Sequence, residues 1–468
     1  MLPKIDVNVC KSEDCKNFAL VDCADYVKPS FKLGYRAIYC PKCGGNSYLI
    51  NNDDLKKIFY PYWSFYMKNI EKACPSCYST ENIKYGTTAI GTVRYQCKNC
   101  NNVYSLKNLN KFDDVDNKLI ESLLKNTKVS TIFKELKITP ASFYRRLENI
   151  NEILDILCRK VEKYKIKNKL SSIETSLFNL NCRVENKTGL SNNLHCIVSC
   201  CSKTGYVLSI TTNWNDQELS LESIYKSQNI PAESINLLEE NTIEKIYKKY
   251  ESFHKRHSFD HIHYTSDNVS KHVIEPVVAA GHSHFKTLEI LLAPNVKHHF
   301  IHHEVYIRGA VLTAYGNAIR NEKCDVFYVI SNENRDGIQY KHTGSYKVGW
   351  WKNIWHEYKD INGEGYKYIC NLTSSKNNQP YEYLKLNPSL KYSEEFIKTF
   401  LYFFPSKRIN SLSPKILVKI LSLFSKYYNY CCIPPNETLT AAQRIGVAKQ
   451  QYDLSMILNV DLYSDSEE

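Results

Sequence analysis

In the first third of this 468-residue chain, apolar side chains recur at the spacing of one helix face. The pattern at residues 51–73 predicts a short connecting helix between the segments on either side. A second pattern, at residues 115–124, recurs at four- and five-residue intervals and predicts an amphipathic helix. A shorter apolar segment at 129–136 predicts one more helix directly after it.

The next segment carries the start signals of a third helix. Thr139 is a favourable N-cap and Pro140 suits the first helical position, which predicts a helix over 141–150. Its exposed, DNA-facing side chains are expected to be Ser142, Arg145 and Arg146. The three helices predict a helix-turn-helix, in which the second helix of the motif lies in the major groove. A plain three-helix packing unit is the alternative. A Lys-rich amphipathic pattern at 151–170 predicts a linker helix.

From residue 171 onwards, apolar and polar residues alternate with a period of two, and the helical pattern ends. Segments 172–181, 194–201 and 206–212 predict three antiparallel strands, the last two joined by a Lys-Thr-Gly turn. Residues 261–267 are typical of a buried strand and end at Asp267. The remaining elements predicted in this body are a helix at 269–280, strands at 284–292 and 324–331, and a helix near 306–320. The whole order predicts a mixed α/β body.

Two Cys-x-x-Cys pairs separated by 19 residues lie between the first and second helical segments. Four thiolates at about 2.3 Å can close a tetrahedral shell around one zinc ion. The predicted ligands are Cys74, Cys77, Cys97 and Cys100. This spacing predicts a zinc ribbon with a structural Zn²⁺ ion. Four unrelated buried cysteines would be the alternative.

Residues 9–48 carry a divergent copy of the same arrangement. Cys10-x4-Cys15 precedes Cys40-x2-Cys43, and Gly34 matches Gly91 when the second Cys pairs are aligned. The repeat predicts a second, tandem zinc ribbon, with Cys10, Cys15, Cys40 and Cys43 as ligands and Cys23 left over. A ribbon that has no metal is the alternative here, so one or two structural zinc ions are expected.

The net charge of +12 is concentrated in the part of the chain that holds the Cys pairs. Residues 1–170 contain 29 Lys and Arg against 18 Asp and Glu, whereas the remaining 298 residues are nearly balanced. Such asymmetry favours contact with a polyanion, nucleic acid first, although a solubilising surface would look the same. No apolar segment long enough for a membrane span and no signal-peptide core is present, and 18 cysteines fit metal ligands and buried thiols, so a cytoplasmic location is expected.

Eleven of the fourteen histidines lie between His254 and His303. The pairs His298-His299 and His302-His303 lack the spacing that puts two imidazoles on one helix face. A histidine metal site is therefore disfavoured, and polar surface or phosphate contact is expected.

The order of zinc ribbon, helix-turn-helix and strand-rich body resembles bacterial insertion-element transposases. Three stretches carry the resemblance. These are the two Cys modules with Arg94-Tyr-Gln-Cys97, the segment Phe112–Leu147, and Tyr428-Asn429-Tyr430 with Leu439–Gly446. The resemblance implies an RNase H-like body and binding of double-stranded DNA, in which Arg94 takes part. It also implies that the protein forms a homo-oligomer on DNA and is located in the cytoplasm of a bacterium.

The resemblance also implies a centre of Asp, Asp and Glu that holds two Mg²⁺ or Mn²⁺ ions for phosphoryl transfer. Asp267 matches the second carboxylate. The family's Asp-Glu-Thr start corresponds to Ile173-Glu174-Thr175, so the first Asp is replaced by Ile173. Glu174 is the nearest candidate, but it points to the opposite face of the strand and could take over only with a register shift or a bulge. The candidates for the third carboxylate are Glu304, Glu394 and Glu395, although an ordinary surface carboxylate is the alternative for each.

The predicted fold class is α+β multidomain. The predicted divisions are a first ribbon-like module (1–50), a connector and second ribbon (51–110), a helix-turn-helix (111–150), a linker helix (151–170), an RNase H-like core (171–331), an insertion (332–390) and a C-terminal helical part with an acidic tail (391–468). Three functions remain open: a transposase that recognises element ends and cuts and joins DNA, a catalytically inactive DNA-binding regulator, and a protein-interaction module without DNA.

Overall fold

The computed structural model describes residues 3–32, 37–89, 91–109, 112–183, 191–218, 242–246, 272–292, 295–333, 338–348, 354–363, 365–373, 379–435 and 437–458. The predicted strand at 261–267, with Asp267, lies outside these residues, as do most of 218–250 and the acidic tail. The statements below concern the described part of the chain.

Each N-terminal Cys module is built around a three-stranded antiparallel sheet. The first sheet contains β1 (Val27–Ser30), β2 (Ala37–Tyr39) and β3 (Asn46–Tyr48). The second contains β4 (Asn82–Thr87), β5 (Val93–Cys97) and β6 (Val103–Ser105). The 18-residue helix α1 (Asn52–Asn69) joins them, as the apolar spacing predicts, because Leu55, Phe59, Trp63 and Tyr66 form one buried stripe.

Three helices follow the second module. They are α2 (Asp114–Leu124), α3 (Val129–Glu135) and α4 (Pro140–Val161). The predicted cap is present, since Thr139 Oγ1 accepts a hydrogen bond from the N–H of Ser142. The predicted third helix and linker helix form one continuous α-helix, which ends in a short π-helical segment at Glu162–Ile166.

The body is built on an eight-stranded mixed sheet in the order β14-β15-β16-β13-β12-β7-β8-β9. Strands β7, β12 and β13 are parallel to one another, and every other pair is antiparallel. The strand bounds are β7 Ser172–Arg183, β8 Ser191–Cys201, β9 Val207–Thr212, β12 His298–Ile301, β13 Asp325–Asn332, β14 Tyr340–Lys347, β15 Ile354–Asp360 and β16 Tyr366–Asn371. A separate antiparallel pair contains β10 (Trp214–Glu218) and β11 (His272–Ile274).

This sheet confirms a mixed α/β body, and the last three strands come from the segment predicted as an insertion. The helices of the body are α5 (242–246), α6 (Val277–Leu292), α7 (Val305–Ala314), α8 (Gly316–Arg320), α9 (Pro380–Lys385), α10 (Lys391–Phe403), α11 (Ser406–Ile409), α12 (Pro414–Cys431), α13 (Ala441–Arg444) and α14 (Leu454–Ile457). The predictions of a strand at 284–292 and a helix beginning at 269 are wrong, because α6 occupies Val277–Leu292 and β11 precedes it.

The N-terminal modules pack directly on the body. Lys57 on α1 lies 3.6 Å from the carboxylate of Glu275, which is buried just before α6. In the first module, Lys11 approaches Gly309 on α7, and Ala19 contacts Gly316 at the start of α8. The modules and the body therefore share contacts along α1, α7 and α8.

Candidate metal centres and nucleic-acid interface

The four cysteines of the second module converge as the spacing predicts. The Sγ atoms of Cys74 and Cys100 are 3.6 Å apart, and those of Cys77 and Cys97 are 3.5 Å apart. All four sulfurs lie within 4.8 Å of one another. A tetrahedral zinc ion with bonds of about 2.3 Å requires S···S separations of about 3.8 Å. The group is thus compatible with a structural zinc ion and with a zinc ribbon.

Tight backbone turns aim these sulfurs at a common point. The N–H of Tyr78 donates to the carbonyl of Cys74 at 2.8 Å, and the N–H of Asn101 donates to that of Cys97 at 3.0 Å. Tyr78 and Asn101 have φ values of 59° and 57°, a left-handed conformation that side chains other than glycine rarely adopt. These turns hold each Cys pair in a fixed geometry.

The turn that contains Cys74 also favours the thiolate that zinc binds. Burial opposes ionisation of this thiol, but the backbone N–H groups of Cys77 and Ser76 donate to the sulfur. Together with the neighbouring side chains they lower the pKa of Cys74 to about 6. At Cys100 the Asn102 N–H favours the thiolate, but the neighbouring thiols of Cys77 and Cys74 raise its pKa to about 12. The backbone therefore favours an anionic ligand at Cys74 and not at every sulfur of the group.

The first module brings together Cys10, Cys15, Cys40 and Cys43 in the same way. The Sγ distances are 3.6 Å for Cys10 to Cys43 and 3.7 Å for Cys15 to Cys40, and all four sulfurs lie within 4.8 Å. Cys23 lies outside the group, as expected. The longer Cys10-x4-Cys15 spacing therefore does not prevent a four-sulfur site, and this module too is compatible with structural zinc.

The three predicted DNA-facing residues of α4 differ in their surroundings. Arg145 is exposed, and Ser142 is half-buried beside the cap. Arg146 was expected to be exposed, but its Nη1 atom pairs with Asp113 at 2.9 Å and with Asp116 at 2.7 Å. Because these carboxylates form the capping box of α2, Arg146 ties the start of α2 to α4. Whether any of the three contacts DNA stays a prediction.

The first turn of α4 faces solvent, whereas the rest of the helix is fixed to its neighbours. Ala141, Tyr144 and Arg145 are exposed. Further along α4, Glu148 pairs with Lys419 at 2.6 Å, Glu152 with Lys107 at 2.5 Å and Asp155 with Lys426 at 2.5 Å. Helix α4 therefore connects the second Cys module to α12 of the body and leaves only its N-terminal turn available to a partner.

Glu174 lies on the central strand β7 and is fully buried. Its Oε1 accepts a hydrogen bond from the N–H of Ser393 at the start of α10, while Oε2 has no hydrogen-bond partner among the described residues. Burial raises the pKa of Glu174 well above its ordinary value. The Ser393 N–H opposes this shift, and the nearby carboxylates of Glu333 and Glu394 add to it.

Glu394 and Glu333 complete a group of acidic side chains on the Glu174 face. Burial, with help from Glu333, raises the pKa of Glu394. Glu333 follows the last residue of β13 and pairs with the buried Lys367 at 2.6 Å. Sequence reasoning named Glu394 but missed Glu333, because no local motif marks it. The group is not compact. In the described part of the chain, only the two four-sulfur sites bring three or more possible metal ligands within 4.8 Å of one another, and these carboxylates do not.

The other carboxylate candidates occupy different positions. Glu304 follows β12, the strand that pairs in parallel with β7, and its carbonyl accepts a hydrogen bond from Tyr328. Glu395 lies on α10, where burial raises its pKa and Lys391 and Arg444 oppose the shift. Asp267 lies outside the described residues. The proposed three-carboxylate centre therefore remains a prediction.

The histidine segment is largely internal where the structure describes it. His282, His284 and His299 are buried. His284 is held by the hydroxyls of Ser199 at 2.8 Å and Thr211 at 2.9 Å, and burial lowers its pKa to about 3. The expectation of a polar surface or phosphate contact is therefore wrong for these residues, which are neutral core groups.

No family model and no curated protein matches this chain. The resemblance to insertion-element transposases therefore rests on the sequence motifs alone. Among the described helices, none combines the length and apolar character that crossing a bilayer demands.

Proposed function

We propose that this protein binds double-stranded DNA as a transposase-like protein, through its zinc-binding N-terminal modules and the exposed first turn of α4. The observation that carries the proposal is the position of α4. Its N-terminal turn is exposed, and the remainder is anchored by ion pairs to the second Cys module and to α12. A rigidly held helix with a free N-terminal turn is what major-groove recognition requires.

The body supports the same proposal. Three antiparallel strands (β7, β8, β9) are followed by two strands, β12 and β13, parallel to β7. This is the kind of mixed sheet that the RNase H-like prediction requires. The basic excess of residues 1–170 supplies the charge for contacts with phosphates.

Duplex binding by the full-length, zinc-loaded chain tests the proposal. A fluorescently labelled duplex of random sequence should bind, and the logarithm of the affinity should fall linearly with the logarithm of the salt concentration, because counterions are released. No binding at low salt, or binding that salt does not weaken, would instead support a protein-interaction module.

Cutting and joining of DNA is the second candidate function. The observation in its favour is that Glu333 and Glu394 lie near enough to Glu174 to raise its pKa, although these carboxylates do not form a compact ligand group. Magnesium or manganese ions need hard oxygen ligands, which Glu174, Glu394 and Asp267 would supply. Strand transfer on a labelled element end should then require Mg²⁺ or Mn²⁺ and be lost in Asp267→Ala. Intact binding without any cutting would identify the protein as a catalytically inactive DNA-binding regulator.

A further inference from the structure

The second Cys module presents an outward-facing surface of mixed chemistry on its three-stranded sheet. Ile83 on β4 pairs with Gln96 on β5, and the alternation of strands places Tyr85 and Arg94 on the same face. The guanidinium carbon of Arg94 lies 5.5 Å from the centroid of the Tyr85 ring, which is consistent with this assignment. We call Ile83, Tyr85, Arg94 and Gln96 the outer face.

The opposite face of this sheet is used for folding. Lys84 pairs with Tyr95, and Tyr95 pairs with Tyr104, whose ring stacks on it at 6.0 Å. Tyr104 is buried against Cys74 and Cys97, with Tyr95 packed beside them. The inner face therefore supports the four-sulfur site, and the outer face is left for another purpose.

The outer face is open to solvent in the described structure. Ile83 and Tyr85 are each 47% exposed, and Arg94 and Gln96 are half-buried. No described carboxylate forms an ion pair with Arg94. An aliphatic and an aromatic side chain this exposed, beside an arginine and an amide, form a surface suited to a partner.

The charge around this surface selects the kind of partner. Residues 82–107 contain Lys84, Arg94, Lys98 and Lys107 but no Asp or Glu. The nearest acidic residue in sequence, Glu81, precedes β4. Lys107 is paired with Glu152, but the other three positive charges have no negative charge beside them in this stretch of 26 residues. This surface therefore complements an anionic partner such as the phosphate backbone of DNA.

We infer that the outer face enters the major groove of duplex DNA and reads base edges there, at base pairs other than those under α4. The inference rests on the proposed DNA binding. The major groove admits a two-stranded β-ribbon. Arginine contacts guanine through two hydrogen bonds, glutamine contacts adenine in the same way, and apolar side chains contact the thymine methyl group. The outer face carries all three types of side chain.

The test uses the full-length protein and a pool of duplexes with a randomised central segment. Selection with the wild-type chain gives a preferred site, and the variants Arg94→Lys, Gln96→Ala and Lys84→Ala are then measured on it. Arg94→Lys keeps the charge but loses the two-pronged geometry, and Gln96→Ala loses the amide. Each should weaken binding to the preferred site by about 10- to 100-fold and abolish the preference at one base pair, while binding to unselected duplex stays nearly unchanged.

Lys84→Ala is the matched control, because Lys84 lies on β4 but points away from the outer face. It should leave the preferred sequence unchanged and weaken selected and unselected duplexes equally. Zinc content should be the same in all variants, which excludes unfolding of the module.

The outcomes separate this inference from the function on which it rests. If the wild-type chain binds duplex with a preferred sequence, and Arg94→Lys and Gln96→Ala keep that sequence, the inference is wrong and the proposed function stands. If the wild-type chain binds no duplex, both fail. If methylation of guanine in the major groove does not interfere with binding, the inference also fails.

Discussion

At the scale of single residues, the four-sulfur groups are the part of the structure that local sequence determines most completely. Each Cys-x-x-Cys turn positions two ligands by its own backbone hydrogen bonds, so only the pairing of two turns depends on the fold. The first module shows that the same closure is reached from a Cys-x4-Cys loop, in which the N–H of Cys15 donates to the carbonyl of Ser12 at 3.0 Å.

Replacing one sulfur should therefore remove a zinc ion and the local fold with it. Cys74→Ser or Cys97→Ser is expected to reduce the zinc content by one ion per chain and to unfold the second module, because zinc-binding energy is folding energy in such sites. Metal analysis and amide hydrogen exchange measure both effects. Cys23→Ser is the control, since Cys23 lies in the first module but does not belong to its four-sulfur group. A normal zinc content in Cys74→Ser and Cys97→Ser would contradict the assignment.

Glu174 gives a residue-scale prediction about pH. Burial raises its pKa above the value of the unfolded chain, so the native state binds the proton more tightly. Stability is then lost as the pH rises from the unfolded pKa towards the folded one, by about 1.4 kcal/mol per pH unit. Glu174→Gln should raise the Tm at neutral pH and flatten its pH dependence, as thermal unfolding between acid and neutral pH would measure.

The same variant distinguishes a structural carboxylate from a metal ligand. If Glu174 helps to hold a divalent ion, Mg²⁺ should raise the Tm of the wild-type protein but not that of Glu174→Gln. Glu382→Gln, at an exposed position on α9, is the control and should respond to Mg²⁺ like the wild type. A steeper pH dependence in Glu174→Gln would refute the burial argument.

At the scale of elements, sequence patterns predict best the helices that expose one face. The apolar spacing predicts α2 and α4 because each buries a stripe and exposes the rest, whereas the short α3 buries only Ile132. The pattern misses helix α6 because 13 of its 16 residues are buried, including the polar His282, Ser283 and His284, so apolar and polar positions do not separate onto two faces. The contact of α10 with β7 could not be predicted from local sequence patterns either, since Ser393 and Glu174 are 219 residues apart.

Arg145 and Arg146 are neighbours on α4, and their substitution by alanine should affect different properties, DNA binding in one case and stability in the other. Arg146→Ala removes the ion pairs with the capping box of α2, so it should lower the free energy of unfolding by about 1–2 kcal/mol. Arg145→Ala touches no such pair and should leave stability unchanged, while weakening duplex binding by about 1–3 kcal/mol if Arg145 contacts a base. Thermal unfolding and DNA titration of both variants compare the two effects. Equal losses of stability would contradict this division.

At the scale of the whole molecule, the first Cys module is part of the body's surface rather than a separate arm. The guanidinium of Arg308 on α7 lies 3.5 Å from both the carbonyl of Lys11 and the carboxylate of Glu13. On α8, a β-carbon at Gly316 would lie 2.2 Å from the β-carbon of Ala19. The predicted division into independent modules therefore understates how closely the N-terminal part is fitted to α7 and α8.

The contact at Gly316 allows this docking to be tested without touching any cysteine. Gly316→Ala should separate the first module from α8 while its zinc content stays normal, so amide hydrogen exchange should increase in residues 10–20 and around α8. Gly309→Ala is the matched control, because its new methyl group meets the flexible end of Lys11 at 3.1 Å, which can move aside. Ala19→Gly should restore protection in the Gly316→Ala background, since it removes the opposing β-carbon and suits the φ of 53° at that position. If Gly316→Ala exchanges like the wild type, the module is not held by this contact, and its position on the body must depend on α1 and on the contacts of Arg308 with Lys11 and Glu13.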